Sequence, residues 1–197
     1  MKFTKAKLLL VEGTDEEKAF TRMLSEWKIE DIQIHPLNGK SSFKDKLSAV
    51  VKDDGFMNVI SIGIIRDADE CAQSQFQSVQ DALRDLSLPI PEKINQTKKD
   101  GRLLVRVFIM PNCNSDGAME SLFVEAIKDD RIYSDCISSF KDCVINRGAI
   151  LGYKNEAYMF ISTRKEPDVR LGISVDRGDW DLSHPCFNPL KSFLREL

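Results

Sequence analysis

Histidine is nearly missing from this chain: His35 and His184 are the only two in 197 residues. A His-rich transition-metal centre and a histidine-based catalytic triad both need more imidazole than that. Carboxylates are left as the main carriers of acid–base and metal chemistry. Cysteine supplies no framework either. Cys71, Cys113, Cys136, Cys143 and Cys186 are odd in number, and no pair has the short spacing of a zinc knuckle or redox dithiol. Free thiols in a reducing compartment are expected. No apolar run approaches the ~20 residues of a membrane span, and Met1 to Lys7 holds no signal-peptide core. A cytoplasmic protein with no membrane partner is the expectation. Nor is there an excess of basic charge, since the net is -3. That excludes a surface coated in Lys and Arg for non-specific nucleic-acid binding, while leaving room for local basic patches. Internal repeats and low-complexity tracts are also lacking.

What is present is an ordinary folded composition, 42% hydrophobic and 30% charged, enough for one domain with a sizeable core. Its most informative stretch is Val59 to Ile65, an apolar run that stops at Arg66-Asp67-Ala68-Asp69-Glu70. Unbroken β-branched residues fit a strand buried on both faces of a sheet. Such strands belong mostly to parallel α/β sheets, which bind ligands beyond their carboxyl ends. If the chain stays extended, Asp67 and Asp69 leave on one face. Two acids side by side need a cation or a shared proton, and a hard divalent cation such as Mg²⁺ suits oxygen ligands. A polar turn capping the next helix is the competing interpretation.

The rest of the chain repeats a strand–helix rhythm. Lys7 to Val11 is a strand ending at Glu12-Gly13, and Thr14 or Asp15, with Glu17, predicts a capping box. The helix that follows carries Ala19, Phe20, Met23, Leu24 and Trp27 as one stripe. Ile32 to Leu37 is a second strand. After it, Lys40-Ser41 resembles the end of a phosphate-binding loop, but Ile34 stands where the loop's first glycine belongs. Lys40 is kept as a phosphate contact at a helix start, ahead of a stripe of Phe43, Leu47, Val50 and Val51. Phe76, Val79, Leu83 and Leu86 form the face of a third helix. Residues 92–106 hold five basic side chains against two acidic ones and read as an exposed loop, either a solvated charge run or a nucleic-acid-facing segment. Leu103 to Met110 is a fourth strand, and Gly117-Ala118-Met119-Glu120 opens a helix burying Leu122, Phe123 and Ala126. Helices are expected over Ile132 to Val144, Asn155 to Ser162 and Pro189 to Leu197. Successive crossovers make all four strands parallel by default, which gathers Glu12, Asp67 and Glu120 at one end.

The glutamate ending the first strand, followed by Asp67-Ala68-Asp69 ending the third, resembles the Toprim domain of topoisomerases, bacterial primases, recombination mediators and OLD-family nucleases. Gly117-Ala118-Met119-Glu120-Ser121-Leu122 is similar to the further acidic motif of the OLD branch. The match covers roughly residues 6–125. It implies a Rossmann-like α/β fold, with a mostly parallel four-stranded sheet flanked by helices. On that basis residues 1–126 form the core and 127–197 a helical extension packed on it, within a single domain overall. The resemblance further implies Mg²⁺ or Mn²⁺ held by Asp67 and Asp69, with Glu70 and Glu120 as auxiliary ligands. Glu12 would be the general acid/base or a second-metal ligand, and Lys154 the transition-state lysine. Lys40, Lys98, Lys99, Arg102 and Arg147 are the candidate contacts to nucleic acid. No stretch resembles the tyrosine-bearing domain of a topoisomerase, the zinc-binding part of a primase or the ATPase module of OLD proteins.

A metal-dependent nuclease acting on DNA or RNA is therefore expected. A non-catalytic module that binds metal and nucleic acid, or a partner ATPase, is the alternative. Nucleotidyl transfer by the same acids is the third.

Overall fold

The computed structural model describes residues 3–38, 42–167 and 170–197. Its centre is a sheet in the order β2-β1-β3-β5-β4, with β1 at Lys7–Val11, β2 at Ile32–Pro36, β3 at Ser61–Asp67, β4 at Thr97–Asp100 and β5 at Leu103–Met110. The sheet has five strands where four were expected. Four of them, β2, β1, β3 and β5, are joined by three parallel pairings, while β4 runs antiparallel along the edge of β5. The extra strand falls inside the charged stretch that reads as a loop. Its four residues are all exposed and show no alternation, so hydrophobic pattern is silent there. The legible signal is Asp100-Gly101 before the apolar run, a hairpin dipeptide, with Gly101 at φ +54°. An edge built from Thr-Lys-Lys-Asp also discourages pairing with other chains.

The helices follow from the crossovers. The chain steps from β1 outward to β2, through α1 (Thr14–Glu26), then reverses across β1 to reach β3 through α2 (Phe43–Val51) and moves on to β5 through α3 (Ala72–Asp85). Right-handed crossovers in opposite directions put helices on opposite faces. The buried residues agree. Leu8, Leu10, Ile62, Ile64, Val107 and Ile109 pack with α2 and α3. Leu9, Val11, Ile65, Phe108 and Met110 pack with α1. The reversal occurs between β1 and β3, and a crevice at such a switch point is where open α/β sheets bind ligands.

The second face is completed by α4 (Met119–Ala126), a π-helical turn at Ile132–Ile137 that leads into an outer helix, α5 (Ser138–Ile145), and then α6 (Tyr153–Ser162), α7 (Leu171–Asp176) and α8 (Asn188–Arg195). Phe193 of α8 lies 5.3 Å from Phe108, and Trp180 is 4.7 Å from Phe160 and 5.1 Å from Phe123. Residues 127–197 thus share one hydrophobic cluster with α1 and the sheet. Sequence pattern did not mark α7, a six-residue helix whose position depends on contact with α1. Asp15 Oδ2 accepts from the Gly172 N–H at 3.1 Å, and a Cβ on Gly172 would lie 2.1 Å from the Asp15 carbonyl oxygen. One correction falls at the start of α1: the N-cap is Gly13, with no side-chain cap, in place of the expected capping box, and Asp15 is turned to α7 instead. No helix among the described residues is long and apolar enough to cross a membrane, and all five cysteines are unpaired.

Candidate active site

Each candidate carboxylate is aimed by the element next to it. Glu12 follows β1, and its Oε1 accepts from Arg66 Nε at 2.5 Å and from the Asp67 backbone N–H at 3.3 Å. Asp67 ends β3, and its Oδ1 accepts from the Met119 N–H at 3.0 Å, at the start of α4. The next residue, Glu120, is buried, and its Oε1 lies 3.7 Å from Lys154 Nζ near the start of α6. Glu12, Asp67 and Glu120 therefore meet as β1, β3 and α4 do, at the carboxyl ends of the strands. The N-termini of α4 and α6 lie beside them, with partial positive charge suited to anions.

The link between Asp67 and α4 is made by backbone. Asp69 and Gly117 exchange two hydrogen bonds of 2.8 Å, clamping the turn after β3 to the turn before α4. Gly117 sits at φ +122°, and a Cβ there would lie 2.4 Å from Ser121 Oγ. Asp69 itself is left-handed, at φ +50°, a region aspartate tolerates better than most residues. This overturns the extended Asp67-Ala68-Asp69 geometry. Asp67 is held against α4, whereas Asp69 is exposed and accepts from Gln75 Nε2 at 3.3 Å. Glu70 is exposed in the same turn, on a shallow groove lined also by Asp69, Gln75 and Tyr153.

Electrostatics single out Asp67 among the candidate carboxylates. Burial, then the charges of Glu12, Glu120 and Glu16, push its carboxyl up to about 8, against the pull of the Met119 N–H. Glu16, in the first turn of α1, is also raised, by burial first and then by Glu12, Asp15 and Glu120. Glu16 has no assigned role in the sequence analysis. Its position four residues after Glu12, across the strand–helix turn, was the available signal. On Lys154 the largest influence is burial, which favours the neutral amine. The charges of Glu120, Tyr153, Tyr158 and Asp67 outweigh it and raise the ammonium. Tyr153 is raised by burial and then, against Lys154, by Asp69, Asp67 and Glu120, which puts the start of α6 beside both aspartates.

Among the described residues no three His, Cys, Asp or Glu side chains converge closely enough to enclose a metal ion. The donor chemistry nevertheless suits a hard divalent cation: the donors are all carboxylate oxygens, and their mutual repulsion favours a proton on Asp67 near neutrality. Arg66 was missed entirely, because a lone arginine before an Asp-x-Asp has no pattern of its own.

Of the candidate nucleic-acid contacts, Lys98, Lys99 and Arg102 are not gathered with the acids. Lys98 pairs with Val105 and through it with Ile62, five residues before Asp67. That is about 16 Å back along the strands, at ~3.3 Å per residue, and two strands over. Lys99 is further back still, Arg102 lies in the turn beyond, and Lys98 pairs with Glu92 at 3.3 Å. Arg147 bonds Cys143 O at 3.0 Å within its own helix end. Lys40 lies outside the described residues.

Fold and site together define an α/β protein with a mostly parallel sheet and a carboxylate cluster at its switch point. The chain belongs to the family DUF3226, described as a protein of unknown function, whose model matches residues 6–197. No curated protein matches it. Among solved structures it is similar to the C-terminal region of the OLD protein of Xanthomonas campestris pv. campestris, phased with mercury, at 12% identity and TM-score 0.40, covering 99% of this chain and 87% of that one. The platinum-phased structure of the same region gives 13% identity and TM-score 0.41, covering 97% and 89%. At these values the likeness carries no correspondence between residues.

Proposed function

We propose that this protein is a Mg²⁺- or Mn²⁺-dependent phosphodiester hydrolase, a nuclease acting on DNA or RNA, built as a small Toprim-like protein. The observation that carries the reading is the environment of Asp67. A half-buried carboxyl pushed up to about 8 by desolvation, Glu12, Glu120 and Glu16 marks a concentration of negative charge. It lies at the strand ends where such sheets bind ligands, and burying charge of one sign is costly without a counterion.

Asp67 and Glu120 would hold the cation, with Asp69 and Glu70, exposed in the turn after β3, completing its shell. The bound ion would supply Lewis-acid polarisation of the phosphate and lower the pKa of a bound water. The remaining chemistry belongs to the chain. Glu12 is oriented through Oε1 by Arg66 and the Asp67 N–H. Among the described residues that leaves Oε2 without a hydrogen bond, so it is the atom suited to take a proton from the attacking water or hydroxyl. Lys154 lies beside Glu120, where its ammonium can offset charge growing on the phosphorane oxygens.

One observation favours a second reading. Glu12 is already paired with Arg66, and Glu120 with Lys154, so a module that binds metal and nucleic acid, or a partner ATPase, without turnover has its own basis. The purified chain separates the two. With Mg²⁺ or Mn²⁺ it is expected to nick plasmid or degrade single strands, and Asp67→Asn and Glu12→Gln are expected to stop it. Inactivity across metals and substrates, with Mn²⁺ binding intact, would sink the hydrolase and leave the module.

A further inference from the structure

We infer that Arg66 is the phosphate-binding residue of this site, a guanidinium held in place by Glu12, Gln75 and Phe43 to receive a backbone phosphate of nucleic acid. The inference rests on the proposed function for its substrate class, and it concerns a residue to which that reading assigns only the orientation of Glu12.

Arg66 is fixed from three sides. Its Nε donates to Glu12 Oε1 at 2.5 Å, its Nη2 donates to Gln75 Oε1 at 3.3 Å, and its Cζ lies 5.0 Å from the centre of the Phe43 ring. The Gln75 amide in turn donates to Asp69 Oδ2 at 3.3 Å. One guanidinium therefore connects the acid that ends β1 with the acid in the turn after β3. A guanidinium has five N–H donors in a rigid fork, and two of them are used. The other three, including both on Nη1, have no partner among the described residues, on a side chain that is 18% exposed.

A structural ion pair requires none of this spare capacity. A phosphodiester, on the other hand, meets at least four carboxylates as it reaches Asp67, and positive charge from the protein must offset them. Lys154 stands beside Glu120 on the α4 side of the sheet, and Arg66 beside Glu12 on the α2 and α3 side. They flank the same strand end. Of the two, Arg66 is the one with a planar fork, which matches two phosphate oxygens at once. Its three anchors spare it most of the reordering that binding imposes on a free side chain, which is the condition for effective electrostatic stabilisation.

Equilibrium binding tests this without relying on turnover. The full chain, with Ca²⁺ in place of Mg²⁺, is titrated with a fluorescein-labelled single-stranded oligodeoxynucleotide over a salt series, followed by anisotropy. Arg66→Gln is expected to lower the slope of log K against log salt by about 0.7, the value for one phosphate contact on a single strand. Arg66→Lys is expected to keep the slope, because the charge remains, and to weaken binding at least about threefold through loss of the fork. An unchanged slope in Arg66→Gln overturns the assignment and leaves Arg66 as a positioning residue for Glu12. If Arg66→Gln does not fold, Arg66→Lys decides alone, and native affinity there overturns it. A chain that shows the slope change and never cleaves keeps this inference and loses the hydrolase. A chain that cleaves with an unchanged slope does the reverse. Absence of oligonucleotide binding by the native chain overturns both.

Discussion

On the sheet face covered by α2 and α3, the acid at the strand ends meets a cation: Glu12 is bonded to Arg66, which Phe43 and Gln75 support. On the face covered by α1, α4 and α6, Glu16, Asp67 and Glu120 repel one another, Glu12 adds its charge from across the strand end, and one half-exposed lysine, Lys154, stands against them at the rim. The same strand ends thus carry a compensated half and an uncompensated half. Both halves are built from strands and helix starts, but they differ in what folding achieves. The first half closes an ion pair and stabilises the chain. The second holds repulsion in place, which costs stability and creates affinity for a proton or a cation.

The sharpest way to break this contrast is Asp67→Asn. If the uncompensated half is the metal centre, turnover and Mn²⁺ binding should both fall by more than about 100-fold, since even outer-shell partners of metal sites are worth 10–100-fold. Metal titration followed by electron paramagnetic resonance, beside a plasmid-nicking assay, reads both. Equal Mn²⁺ affinity in the variant would remove Asp67 from the centre.

A second test uses pH. The unfolded carboxyl of Asp67 titrates near ~3.9, and in the folded chain near about 8. Between those values the folded state binds the extra proton. Its contribution to stability is therefore complete below about pH 4 and is lost as pH rises through about 8. Thermal melts from pH 5 to 9 should show this decline. Asp67→Asn should flatten it and melt higher than the native chain at the alkaline end. Added Mg²⁺ favours the carboxylate, so its stabilisation should grow with pH over the same window.

Packing behind the uncompensated half can be tested by Gly172→Ala. The new Cβ would lie 2.1 Å from the Asp15 carbonyl oxygen, and backbone gives way less easily than a side-chain tip. A loss of about 1–3 kcal/mol is expected, as for other overpacked sites, measured by urea unfolding. Because α1 carries both Asp15 and Glu16, oligonucleotide cleavage should weaken along with stability. The smallest effect belongs to Lys98→Ala with Lys99→Ala. These residues lie far back along the sheet from Asp67, so stability should move within about 0.5 kcal/mol and cleavage should not change. A large loss of cleavage would show that substrate runs along the β4 edge.

How much of this was readable beforehand depended on what each residue's position relies upon. Glu12 and Asp67 were legible because each ends an apolar strand, and Glu120 because it opens a helix after a glycine turn. All three follow from local pattern plus the parallel topology. Asp69 was legible as an acid but not in its geometry, since φ +50° comes from the bridge to Gly117, 48 residues away by their numbering. Arg66 and Glu16 were hidden for a related reason. Their roles arise from partners on other elements, Glu12 and Gln75 for the one, Asp67 and Glu120 for the other. The strand β4 escaped because an exposed edge pairs through its backbone and needs no apolar alternation. In the C-terminal third, α6 and α8 were anticipated, whereas α7 was not, because its place is set by α1.

By itself, then, the amino-acid sequence determined the parallel strands, the helices between them and the end of the sheet at which Glu12, Asp67 and Glu120 must gather. Period-two and period-3.6 patterning, turn residues and the handedness of crossovers are local or nearly local constraints. Only the tertiary structure decided which acids were compensated and which were left to repel. Charge interactions depend on distance and burial between elements far apart in the chain, and no spacing along one strand or one helix contains that information.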